Sequence, residues 1–287
     1  MEAAGHNPIL VHPRKAKLMM GQINKTDKLD TNGLALLNRN GTLPKVWIPP
    51  RELRDQRELP RMRMAMVSVR TQFKNRIHAT LGKYNIQIEE VSDVFGVHGR
   101  EIMEKRLKEL PPETKRSAEE PLKLLDEVEQ RIEEAEKRIR EIVKETPEMQ
   151  LLKTLPGFGP ILSIVAALEI GSIQRFSRPE SLASYSGTVP RIHSSGGKTR
   201  FGQTCPDVNR YLKWALIEAA NIVMMNQKRM PDHHAVELYR RIRHRKGHGK
   251  AIVAVARHLA EAAYWILTKK EAYREPLRKR PVLSTQG

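Results

Sequence analysis

Apolar residues along most of this chain recur at spacings of three and four, the period of a helix with one packed face. Between Arg51 and about Leu81, the residues Met62, Met66, Val69, Phe73 and Ile77 keep that spacing, and Pro49-Pro50 precedes them. This predicts one long helix, with Pro60 as the place where it bends. Leu125, Val128, Ile132, Ala135, Ile139 and Ile142 step by 3, 4, 3, 4 and 3 with Glu, Lys and Arg between them, which predicts a coiled-coil or antiparallel arm ended by Pro147. Such an arm either pairs two protomers or folds back on its own domain, and pairing is the favoured expectation. Helices are also predicted from Asp27 to Leu37, entered through Thr26, and from Asn209 to Ala220. Residues 7–12, Asn-Pro-Ile-Leu-Val-His, read as one short buried strand before Pro13, almost the only strand-like segment.

Charge changes the picture from fold to partner. The 287 residues carry 51 Lys and Arg against 33 Asp and Glu, a formal charge of +18, an excess that fits a polyanion. It is uneven: residues 1–100 net +8, 101–150 net −4 and 151–287 net +14, so two basic regions flank an acidic one. No run approaches the length of a membrane span, and the opening MEAAGHNPILVHPRK lacks a signal peptide's apolar core, so the cytoplasm is the expected location. Cys205 is the sole cysteine, which excludes an intrachain disulfide and a thiolate zinc site. Aromatic residues are 5% of the chain, too sparse for an extended base-stacking platform.

Several stretches carry candidate chemistry. Leu155-Pro156-Gly157-Phe158-Gly159-Pro160 before the apolar run Ile161 to Ile170 fits a helix-hairpin-helix turn, in which Gly157 and Gly159 let backbone amides face a nucleic-acid phosphate. The competing reading is a plain turn between helices. Arg191 to Arg200 is a Ser-Gly-Gly loop flanked by Arg191, Lys198 and Arg200, with Arg210 nearby. As a bare pattern it is a flexible turn, yet a serine attacking phosphate needs such cations around it. Asp27 and Asp30 stand at i and i+3 on a helix start, where they can share a divalent metal or simply favour the helix dipole. Arg243, Arg245, Lys246 and Lys250 belong to the densest basic run, and Arg70, Lys74 and Arg76 lie on the long helix; both sets are candidate phosphate contacts. His233, His234, His244 and His248 are read as solvent-facing.

Taken in order, these stretches resemble the insertion-sequence 110 family of transposases, relatives of Piv-type invertases, over nearly the whole chain. The resemblance rests on Leu10-Val11-His12-Pro13, on Lys25-Thr26-Asp27-Lys28-Leu29-Asp30 with Thr31 where the family has Ala, and on LPGFGPILS, SYSGTVPRIHSSGGKTRFG, NRYLKWALIEAA and KGHGKAIVAVARHLAEAAYWIL. It implies a mainly α chain in three parts: residues 1–90, the remnant of an RNase H-like α/β DEDD domain with a basic helix; 91–147, an acidic coiled-coil arm; and 148–287, a helical transposase domain with the helix-hairpin-helix and serine loop. It further implies DNA as partner, a structured guide RNA, a homo-oligomer (dimer or tetramer) and Mg²⁺ held by Asp27 and Asp30. Ser195 is implied as the nucleophile, since family variants keep the serine directly before Gly. The other two DEDD carboxylates are expected upstream of Asp27, where Glu2 is read as a surface residue. The chain is therefore expected to begin inside the catalytic domain and to be impaired in strand exchange. The alternatives are a non-enzymatic helix-hairpin-helix nucleic-acid-binding protein and a regulatory transposase fragment.

Overall fold

The structure, a computed structural model, describes residues 4–21 and 26–276. Glu2 and Lys25 lie outside the described residues. The chain is mainly helical and divides into two compact units, Met1–Arg54 and Asp55–Gly287.

The first unit contains α1 (Pro13–Met20) and α2 (Asp27–Arg39). Thr26 caps α2 as expected, its hydroxyl accepting from the Leu29 amide at 3.2 Å. Residues 7–12 do not form the buried strand that their composition suggested. They are extended and largely exposed, joined to the segment before α3 by one antiparallel bridge, Val11 to Lys45. Two backbone bonds flank that bridge, His12 N–H to Pro44 O at 2.9 Å and Val46 N–H to Leu10 O at 2.7 Å. An apolar run becomes a strand only where a ladder of partners meets it, and here the ladder is one rung long.

The long basic helix is present as α3 (Arg51–Lys83), and Pro60 lies inside it without ending it. After α4 (Val97–Leu107) comes α5 (Pro112–Ile142), the expected arm, starting earlier than its heptad pattern. The arm folds back along α3 of its own chain. Arg63 donates to Glu136 at 2.8 Å, Lys74 pairs with Glu129 at 3.2 Å, and the Tyr84 and Thr114 hydroxyls meet at 3.0 Å, a register that runs antiparallel. Leu122 and Leu125 of α5 close a small core with Ile77, Leu81, Met103 and Leu107, while Ile132, Ala135 and Ile139 continue the buried stripe. Of the two arrangements expected for the arm, the chain shows the fold-back: the stripe's apolar face is covered within one chain. Val143, not Ile142, ends the stripe.

From Pro147 the chain builds a helical bundle: α6 (Pro147–Lys153), α7 (Pro160–Ile170), α8 (Pro179–Tyr185), α9 (Arg210–Met225), α10 (His234–Lys246) and α11 (His248–Lys269). Ala215, Ala219 and Ala220 of α9 and Ala251, Val255, Ala256 and Ala260 of α11 sit in one core, where small side chains let the helices approach closely. By length and composition α11 is apolar enough to cross a membrane, which the sequence reading missed; its buried face lines this core. Between α8 and α9 two strands, β1 (Pro190–Ser195) and β2 (Lys198–Thr204), form an antiparallel hairpin. The sequence placed a flexible loop there.

Candidate nucleic-acid interface

The hairpin follows from its turn. Ser195 pairs with Lys198 across Gly196 and Gly197, whose φ angles are +55° and +75°. Two successive left-handed residues make the tight turn whose twist suits antiparallel strands, and glycine takes that conformation without strain. The register then sorts the side chains. Ser194 pairs with Thr199 and Ile192 with Phe201 on one face; Ser195 pairs with Lys198 and His193 with Arg200 on the other. The Ser194 and Thr199 hydroxyls lie 3.3 Å apart. Ser195 thus shares its face with two cations and an imidazole, whereas Ser194 is engaged with a hydroxyl on the apolar face. Every residue from Arg191 to Gln203 is exposed.

The base of the hairpin is held firmly. Lys213 Nζ donates to Thr204 Oγ1 at 2.8 Å and the Asn209 amide to the Tyr185 carbonyl at 2.8 Å. Gly187 has φ +69°, and a Cβ there would meet Val208 Cγ2 at 2.6 Å, so the turn after α8 closes directly on the segment entering α9.

Beneath this base lies a buried polar network absent from the sequence reading. Glu169, in the last turn of the apolar helix α7, is 2% exposed. Arg61 grips its carboxylate with two bonds of 2.7 and 3.0 Å, Asn209 Nδ2 donates to it at 2.7 Å, and the Arg57 guanidinium, 4% exposed, is 3.6 Å away. Arg57 also donates to the Leu168 and Glu169 carbonyls at 2.8 and 3.1 Å, satisfying the end of α7. Burial lowers the Arg57 pKa and the Glu169 charge opposes that; the bonds to Glu169 raise the Arg61 pKa. Asn209 meanwhile caps α9, its Oδ1 accepting from the Tyr211 and Leu212 amides at 3.1 and 2.9 Å. One carboxylate so ties α3 to the entry of α9. A lone acid at the end of an apolar run was the signal available in the sequence, since a buried charge requires a partner.

The structure brings the hairpin beside the basic end of α10. The Lys246 ammonium lies 5.8 Å from the Phe201 ring centroid, and Arg243, Arg245 and Lys250 are exposed. Arg191, Lys198 and Arg200 line the hairpin and Arg210 is exposed on the first turn of α9. On α3 the picture is mixed: Arg76 is exposed and Arg70 half-buried, but Lys74 is taken by Glu129 and lies 4.9 Å above the Phe95 ring. Acidic residues of the arm thus spend part of the basic helix's charge inside the chain.

Gly157 has φ +79°, and a Cβ on it would lie 2.2 Å from the Ala219 carbonyl oxygen. Its visible role is the close approach of the α6–α7 turn to α9. Gly159 caps α7 in extended conformation with open space where a Cβ would go. Asp27 and Asp30 occupy the first turn of α2, Asp27 exposed and Asp30 half-buried. Among the described residues no group of three or more His, Cys, Asp or Glu is arranged so that it could hold a metal ion. Mg²⁺ is commonly held by one or two carboxylates together with water and substrate phosphate, so Asp27 and Asp30 could supply part of such a site, which the described residues do not complete.

The histidines also depart from expectation. His233 and His234 are half-buried, not solvent-facing: His233 Nδ1 lies 3.4 Å from Glu275, the His234 amide donates to Glu275, and the His234 ring lies 4.8 Å from that of His258. His248 is exposed as expected, its Nδ1 2.7 Å from the Tyr239 hydroxyl. His244 is exposed as expected.

Two family profiles match the chain: a DEDD transposase profile of the IS110 group over residues 1–86, and the profile described as "Transposase IS116/IS110/IS902 family" over residues 149–235. The chain belongs to the IS110 family of transposases. Among similar proteins, the transposase for insertion sequence element IS1111A of Coxiella burnetii is 26% identical over 92% of this chain and 72% of its own length. A probable family 20 transposase of Pseudomonas aeruginosa is 25% identical over 94% of this chain and 80% of its own. The putative transposase y4pF/y4sB of Sinorhizobium fredii is 25% identical over 96% and 70%. The second profile spans this transposase's hairpin, Glu169, Asn209 and the start of α10, while Arg57 and Arg61 fall within the first.

Proposed function

We propose that this transposase engages DNA through the β1–β2 hairpin and the basic end of α10, and that Ser195 is the nucleophile that attacks a DNA phosphate. The observation that carries the reading is the cross-strand register, which sets Ser195 opposite Lys198 and next to the His193–Arg200 pair on one exposed face. In the step proposed, the Ser195 hydroxyl gives up its proton as Oγ forms a bond to phosphorus, one bridging P–O bond breaks, and the departing DNA oxygen takes up a proton. Lys198 and Arg200 offset the negative charge that builds on the non-bridging oxygens, and the rigid base of the hairpin holds the hydroxyl in place. Backbone-phosphate contact of this kind is independent of base sequence.

The family resemblance adds finer parts to the proposal: an RNase H-like first domain, a helix-hairpin-helix at α6–α7, Mg²⁺ at Asp27 and Asp30, a guide RNA and a homo-oligomer. The exposed cations of α10 offer phosphate contacts to RNA as they do to DNA.

The test is a covalent-adduct assay with labelled DNA of the element's ends and Mg²⁺, reading attack alone. The expected result is a denaturant-resistant protein–DNA adduct that Ser195→Ala abolishes and Ser194→Ala keeps. An adduct surviving Ser195→Ala refutes the assignment of the nucleophile. The non-enzymatic reading expects binding of the same DNA with no adduct from any variant.

A further inference from the structure

The attack uses only one face of the hairpin. The other carries Ile192 directly across from Phe201, 59% and 63% exposed. The Ser194–Thr199 hydroxyl pair bounds this apolar patch on the tip side, and Lys246 overhangs the Phe201 ring. Lys198, Arg200 and Arg191 are exposed along the ribbon's other positions. A flat aromatic–aliphatic pair rimmed by Lys246 at the basic end of α10 matches the nucleotide repeat, in which an apolar base face alternates with an anionic phosphate. A second copy of this chain would bring its own cations against the same rim, and like charges would oppose that contact.

We propose that this face receives a nucleobase: Phe201 stacks on a base turned out of the duplex that the hairpin engages, Ile192 packs against that base, and Lys246 pairs with the adjoining phosphate. The proposal rests on the hairpin being the DNA-contacting element and extends it from phosphate contact to recognition of an unpaired base. A two-stranded ribbon is narrow enough to enter a major groove, and apolar side chains carried into a groove are a known means of unstacking base steps. The firm base of the hairpin, through Lys213–Thr204 and Asn209–Tyr185, keeps the pair in place without the rest of the bundle moving.

The test measures binding of the whole chain to two 30-base-pair duplexes, one fully paired and one with a single unpaired 2-aminopurine, by anisotropy and 2-aminopurine fluorescence at fixed salt. The wild-type chain is expected to bind the unpaired-base duplex about tenfold more tightly, near the low end of a base–aromatic stack, and to quench its fluorescence. Phe201→Ala removes both the preference and the quenching, leaves affinity for the paired duplex within about twofold, and keeps the melting temperature, because the ring is exposed. Phe201→Trp restores the preference. Equal wild-type affinity for the two duplexes overturns the proposal, as does a preference that survives Phe201→Ala. A concentration-dependent dimer lost in Phe201→Ala, with no discrimination between duplexes, overturns it in favour of self-association. Failure to bind either duplex removes the DNA reading and this proposal with it.

Discussion

Replacing Glu169 by alanine removes a carboxylate shared by Arg57, Arg61 and Asn209, while Arg61 keeps Glu58 at 3.4 Å. The side chain is 2% exposed, so water does not replace it freely, and Arg57 beside it is 4% exposed. Arg61 loses two bonds, of 2.7 and 3.0 Å, and Asn209 loses one of 2.7 Å. Breaking a buried ion pair from one side costs about 3–5 kcal/mol, mostly as an uncompensated buried charge. Arg57 keeps its bonds to the Leu168 and Glu169 carbonyls, which places the expected loss at the lower end, about 3 kcal/mol. For a folding unit of this size that is a fall in Tm of roughly 6–12 °C. Urea and thermal melts followed by circular dichroism measure it. Glu169→Gln, which keeps an acceptor oxygen and loses the charge, should fall between the two. In a double-mutant cycle with Arg61→Met the losses should be less than additive by about 1 kcal/mol or more. A Glu169→Ala chain within about 1 kcal/mol of wild type would refute the claim that this carboxylate ties α3 to α9.

Other outcomes follow from the same geometry. Gly157→Ala should destabilise the chain by roughly 2–5 kcal/mol in denaturant melts, from a strained left-handed residue and a Cβ driven against Ala219, while Gly159→Ala costs under about 1 kcal/mol. His258 is held below the ordinary imidazole range, first by burial and then by the neighbouring His234, against the opposing charges of Glu275 and Glu261. The unfolded chain therefore binds this proton first on acidification, so stability is full above about pH 6.5 and declines below it; thermal melts across pH 5–8 should show the decline, and His258→Gln should flatten it. DNA affinity should fall about a thousandfold or more between 50 and 200 mM salt if six or more phosphates are met. Arg243→Ala and Arg200→Ala should each lower the salt slope by about one.

The helices were legible because their signals are local. Spacings of three and four fix the packed faces of α3 and α5, and Thr26 and Asn209 mark helix starts as their side-chain bonds show. What the arm packs against was not legible, because the same stripe serves a partner helix in its own chain or in another; the pairs Arg63–Glu136 and Lys74–Glu129 decide it. Strand signals mislead in both directions here. Residues 7–12 have strand composition but one rung of ladder, while Gly196-Gly197, taken for a flexible loop, is the dipeptide that a tight hairpin turn requires. That turn separates Ser194 from Ser195, since neighbours on a strand face opposite sides. Glu169 was hidden inside an apolar run, and its partners lie 108 residues upstream at Arg61 and 40 downstream at Asn209. His233 and His234 looked exposed in a basic stretch because Glu275, which engages them, is over 40 residues away.

The most direct test of the central claim is disulfide capture at the hairpin tip, which reads position without requiring turnover. In a Cys205→Ser background, Ser195→Cys and Ser194→Cys are each incubated with DNA carrying a thiol tether on one backbone phosphate, and cross-linking is quantified on non-reducing gels against tether position. The account predicts efficient capture by Ser195→Cys at one phosphate and at least tenfold less by Ser194→Cys, with DNA affinity equal in both. Equal or greater capture by Ser194→Cys would contradict it, as would no capture by either variant while the DNA is bound.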